Sequence, residues 1–121
     1  MNSLIGINAV LPALLAGNSV ILKPSPQTPV VAERFVEFYT KAGLPEGLLQ
    51  TIHLGTLEEL EGLCARPEVA HIAFTGSVMG GVAVQKAAVN SENPFKSNLS
   101  LFPLLFPDLN IFFLMVVGNW C

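Results

Sequence analysis

Apolar positions along this chain change period several times, and each change marks an element. From Leu4 to Ala16 they recur at Ile7, Val10 or Leu11, and Leu14, the spacing of a helix with one buried face. Pro12 interrupts that helix and predicts a kink, and Gly17 with Asn18 supplies a left-handed exit. Ser19 to Leu22 is a short β-rich run between turn residues and predicts a strand buried on both faces. Thr28 as N-cap and Pro29 at the first helical position open the next helix. Its apolar stripe is Val31, Phe35, Phe38 or Tyr39, and Ala42, with Glu33, Arg34, Glu37 and Lys41 turned to water, and Gly43 and Pro45 close it.

The alternation then repeats. Leu48 to Leu54 predicts a second strand, ended by Gly55. Thr56 and Glu59 have the spacing of a capping box for a helix from Leu57 to about Ala65, which Pro67 prevents from continuing. Val69 to Phe74 predicts a third strand, Thr75 and Gly76 turn the chain, and Ser77 caps a helix from Val78 to Val89 that Gly80 and Gly81 weaken. Strands and helices alternating at these lengths imply an α/β fold, Rossmann-like, with βαβ crossovers and a parallel sheet. In such sheets ligands bind at the carboxyl ends of the strands. The stretches AGNSVILKPSPQTP, Ala16 to Pro29, and FTGSVMGG, Phe74 to Gly81, both have strand, turn, helix grammar at that edge.

After Lys96 the pattern stops. Residues 97–121 carry Asp108 as their only charge and are broken by Pro103, Pro107 and Asn110. Ile111 to Val117 is the longest apolar run, well short of the ~18 residues of a spanning helix, so no membrane role is expected. Such a run needs cover on both faces or it invites self-association through residues 97–121. The chain therefore divides into an α/β part, 1–96, and an apolar tail, 97–121.

Composition adds limits. One small domain is the most that 121 residues allow. A net charge of -3 points to neither nucleic acid nor an anionic membrane. Hydrophobic residues make up 51% and charged residues only 12%, which is apolar for a small soluble domain and implies a covered surface or a segment foreign to the domain. Two cysteines, with no basic n-region or cleavage site after Met1, suggest a reduced, cytoplasmic setting. Cys64 reads as a small buried hydrophobe, and His53 and His71 have no partners at metal-ligand spacing. Glu58, Glu59 and Glu61 read as a solvated helix face with one capping member.

AGNSVILKPSPQTP, AGLPEGLLQ at Ala42 to Gln50 and HIAFTGS at His71 to Ser77, in that order and separation, resemble the nucleotide-binding domain of the aldehyde dehydrogenase superfamily. The resemblance covers roughly Leu4 to Lys96, and KPSPQTP is similar to a fungal-type branch. It implies NAD or NADP as cofactor, with Lys23 beside the adenosine ribose and Ser25 close by. It further implies that Gly55 lets the adenine approach the backbone, and that Gly76, Ser77 and Gly81 lie near the pyrophosphate. Free N–H groups and the dipole at a helix N-terminus favour a phosphate there, and glycine permits close approach. The bland alternatives are a solvated strand-end lysine at Lys23 and turn or packing glycines at Gly76 and Gly81. Where similar enzymes often carry a ribose-binding glutamate, this chain has Pro26, which leaves NAD against NADP open.

The resemblance also implies what is missing. Neither cysteine has the family's nucleophile context, no ELGG block supplies a general base, and Asn2 lacks the PWN-like setting of the family's oxyanion asparagine. In a full-length relative, an aldehyde would be oxidised by hydride transfer to NAD or NADP, followed by thioester hydrolysis. The chain by itself reads as truncated at both ends, with a tail of foreign origin and no turnover expected. A weak dinucleotide-binding module, or a non-functional product that associates through its tail, are the alternatives.

Overall fold

The computed structural model describes residues 3–90, 99–103 and 113–119, with side chains from Ala9 to Asn90. In chain order the elements are α1 (Ser3–Leu15), β1 (Asn18–Lys23), α2 (Pro29–Lys41), β2 (Leu49–Thr51), α3 (Leu57–Ala65), β3 (Ile72–Gly76), α4 (Val78–Val89), β4 (Leu99–Pro103) and β5 (Phe113–Asn119). None of the described helices is long and apolar enough to cross a membrane.

Side-chain alternation in β1 and β3 builds two cores, one on each face of the sheet. Val20 and Leu22 of β1 and Ala73 of β3 pack with Val10 and Ala13 of α1 and Ala32 of α2. Ile21 of β1 and Ile72 and Phe74 of β3 face the other way, onto Leu60 and Cys64 of α3 and Val84 and Ala87 of α4. The period of two that puts neighbouring residues on opposite faces makes a three-layer α/β domain.

Local chemistry sets the helix ends. Gly17, at φ 83, takes the left-handed turn after α1, and the Asn18 side chain donates to the Ala13 carbonyl at 3.1 Å. α1 runs on through Pro12 to Leu15. Thr28 occupies the N-cap of α2 with Pro29 behind it, but makes no side-chain capping bond. In α2 the buried stripe is Ala32, Phe35, Val36 and Tyr39. Of the alternatives Phe38 or Tyr39 the fold takes Tyr39, with Phe38 70% exposed, while Ala42 faces water, a correction to the predicted stripe. Spacings of three, four and seven from Ala32 select one face, which excludes positions 38 and 42.

Strand order is β2-β1-β5-β3-β4. β1 pairs with β2, and β3 with β4, in parallel, whereas β5 runs antiparallel to both β1 and β3. The three predicted strands, β1 to β3, thus point one way, as expected; β4, from the segment set apart as a tail, joins them in the same direction, and β5 makes the sheet mixed. Residues 104–112 are too short a link for the crossover of about a dozen residues that a parallel return needs. The sequence sets 97–121 apart from the domain, yet the backbone carries two of its stretches, Leu99–Pro103 and Phe113–Asn119, into the sheet. Ile111, the start of the predicted apolar run, lies outside the described residues.

Candidate functional site

From β1 the chain moves outward to β2, and from β3 it moves outward on the opposite side to β4. Where strand order reverses in this way, the loops leaving the carboxyl ends part and leave a crevice. A cleft of about 380 Å³ lies there, at the low end of the ~300–1,000 Å³ typical of small-molecule sites.

One wall follows β1. Lys23, 6% exposed, is the only charged residue among the described residues lining the cleft, and its Nζ donates to the Pro24 carbonyl at 3.0 Å. Burial holds its ammonium below the ordinary pKa of 10.5, because removal from water disfavours the charged form. Ser25 is buried, and its Oγ accepts the Gln27 N–H at 3.2 Å while its carbonyl accepts that of Thr28 at 3.0 Å. This tight turn leaves Pro26 and Gln27 as the exposed rim.

A second wall follows β2, where Gly55 and Thr56 lead into α3. Thr56 caps that helix: its Oγ1 accepts the Glu59 N–H at 3.2 Å, and the Glu59 carboxylate returns to the backbone nitrogens of Gly55 and Thr56. The predicted capping box is therefore formed. The third wall follows β3. Gly76 is buried at the strand end, and the Oγ of Ser77 accepts the Gly80 N–H at 3.2 Å as the N-cap of α4. A hydroxyl that accepts one bond keeps its own O–H to donate.

Lys23, Ser25, Gly55, Gly76 and Ser77 thus converge on one cleft from three separate sequence blocks. Gly81 does not line it. One helical turn carries that position onto the buried face of α4, where it serves packing. The glycine close to the cleft is Gly80, whose added Cβ would stand 3.0 Å from Phe74 Cζ and 3.3 Å from Ser77 Oγ. Sequence reasoning also missed the apolar lining of Leu54, Leu57, Leu60 and Phe74. The period of these leucines signals a core face, and only the meeting of β2, α3 and β3 shows that they also line a cleft.

The residues present fit the adenosine side of a dinucleotide. Apolar walls suit a base and the N-terminus of α4 suits phosphate, whereas the backbone nitrogens of Gly55 and Thr56 before α3 are already taken by the Glu59 carboxylate. Elsewhere, His53 pairs with Glu33 at 3.0 Å and His71 is half-buried with its pKa lowered by that burial. No group of metal-ligating side chains exists among the described residues. Cys64 is fully buried in the core between α3, α4 and β3, so its thiol does not face the cleft.

Residues 3–100 match the aldehyde dehydrogenase family, and the chain belongs to that family. It is 43% identical over 102 residues to mouse (Mus musculus) 4-trimethylaminobutyraldehyde dehydrogenase, covering 83% of this chain and 20% of the mouse protein. It is likewise 43% identical over 76 residues to malonate-semialdehyde dehydrogenase of Halalkalibacterium halodurans, covering 63% of this chain and 16% of that one. Among solved structures, a mutant of Proline Utilization A (PutA) from Bradyrhizobium japonicum superposes with a TM-score of 0.69 at 32% identity, over 82% of this chain and 10% of that one. The chain spans about one fifth of the length of the 4-trimethylaminobutyraldehyde dehydrogenases it matches.

Proposed function

We propose that this chain forms the adenosine side of an NAD or NADP site in an aldehyde-oxidising dehydrogenase of the cytoplasm. The observation that carries the reading is the convergence of Lys23, Ser25, Gly55, Gly76 and Ser77 on one cleft where strand order reverses. Lys23 and Ser25 would hold the ribose, Gly55 would admit the adenine edge, and Gly76 with Ser77 would meet the pyrophosphate at the start of α4. The bound nicotinamide would supply the hydride acceptor. The chain's own part in this reading is binding and orientation, and Cys64 stays buried in the core away from the cleft.

Titration calorimetry of the purified 121-residue protein with NAD and with NADP tests this. Heat of binding is expected with at least one dinucleotide, and Ser77→Ala and Lys23→Ala should each weaken it about tenfold, the loss of one good hydrogen bond or charge contact. No heat from the folded, unmodified chain overturns the reading.

A further inference from the structure

Lys23 follows Ile21 by two positions on β1 and shares its face of the sheet, the face that carries Phe74, α3 and α4. There it is buried, and it lines the cleft together with Leu54, Leu57, Leu60 and Phe74. An ammonium in such a setting gives up most of its hydration, and the Pro24 carbonyl at 3.0 Å accepts one of its N–H groups. Burial accordingly favours the neutral amine. A neutral amine can donate one N–H to that carbonyl and still hold its lone pair, which makes it a nucleophile fixed at the end of a strand. Lys41 and Lys86 stand on exposed helix faces instead, where water stabilises the ammonium.

We propose that Lys23 is an aldehyde-capture site, whose ε-amine forms a reversible imine with small apolar aldehydes that enter the cleft. The amine nitrogen adds to the carbonyl carbon, the carbonyl oxygen leaves as water with both amine hydrogens, and a C=N bond replaces the C=O bond, with nothing oxidised or reduced. The unprotonated imine carries no charge, so capture removes the cost of keeping an ammonium out of water. The apolar walls then cover the hydrocarbon part of the aldehyde. Capture rests on the lysine and the cleft walls and needs no dinucleotide. Where a dinucleotide also binds beside Lys23, the two exclude each other.

Hexanal at limiting concentration with sodium cyanoborohydride, applied to the full folded chain near neutral pH, converts each imine to a stable secondary amine that peptide mass spectrometry locates. Labelling at Lys23 is expected to run about tenfold ahead of Lys41 and Lys86, and the lead should vanish in urea, where all three side chains are solvated. Equal labelling of the three lysines in the folded chain, or none at Lys23, overturns the proposal. A lead that persists in urea also overturns it, because the lead would then come from the local sequence and not from the cleft. The lead over Lys41 should grow from acetaldehyde to hexanal as the longer tail fills the apolar walls, and a lead independent of tail length overturns the assignment to apolar aldehydes. Excess NAD or NADP should slow labelling at Lys23 alone. A Lys23 lead that neither dinucleotide alters leaves capture standing and counts against the cofactor reading.

Discussion

The Glu59 carboxylate accepts the backbone N–H of Gly55 at 2.8 Å, closing the turn that forms one wall of the cleft. The same oxygen lies 3.3 Å from the Thr56 nitrogen, and the Thr56 hydroxyl accepts the Glu59 N–H in return, so one helix cap fixes both α3 and the cleft rim. Glu59→Ala removes this reciprocal cap and is expected to cost about 1 kcal/mol of stability, read as a fall in the urea midpoint with unchanged slope. Glu58→Ala, on the exposed side of the same turn, should leave the midpoint nearly unmoved.

Two helical glycines should respond to alanine with opposite signs. Gly62, within α3, has no atom within 4 Å of an added Cβ, so Gly62→Ala gains helix propensity and is expected to stabilise by about 0.5–1 kcal/mol. At Gly80 the new methyl would stand 3.0 Å from Phe74 Cζ, and that ring is 2% exposed and enclosed by the core of α3 and α4. Overpacking of about 1–3 kcal/mol then outweighs the propensity gain, and Gly80→Ala should lower stability. Thermal melts of the two variants beside the unmodified chain check the contrast.

Lys23 makes stability depend on alkaline pH. Burial lowers its pKa in the fold from 10.5, so between the lowered value and 10.5 the unfolded chain holds the proton that the folded chain has lost. Stability accordingly rises with pH through that window and levels off above it. Below the window the penalty of a charged, buried ammonium is present in full. In Lys23→Met this part of the rise should vanish, which a series of denaturant midpoints from neutral to alkaline pH would show. An identical slope in both proteins would contradict it.

Much of the fold was legible in the chain because it rests on short-range rules. Period and punctuation located four helices and three strands to within about three residues, and the caps at Thr56 and Ser77 follow from spacing alone. Five of six proposed cofactor residues meet in the cleft because strand, turn, helix grammar puts them all at the carboxyl edge. Gly81 was misplaced because a spacing of glycines does not tell which side of a helix each occupies. Phe38 and Tyr39 stayed open and Ala42 was misplaced because an apolar residue at a helical interval does not reveal which of two adjacent faces meets the sheet.

The stretch AGNSVILKPSPQTP by itself determined a strand whose end delivers a lysine and a serine to a ligand edge, since hydrophobic period, proline and glycine act within a few residues. What stands next to that strand was decided only in three dimensions. Apolar residues in 113–119 predict that something must cover them, but not which edge they join or in which direction. Backbone hydrogen bonding is indifferent to side-chain identity, and β5 joins the open edges of β1 and β3 because the sheet offers both there. The width of the cleft beside Lys23 is therefore a property of the tertiary structure.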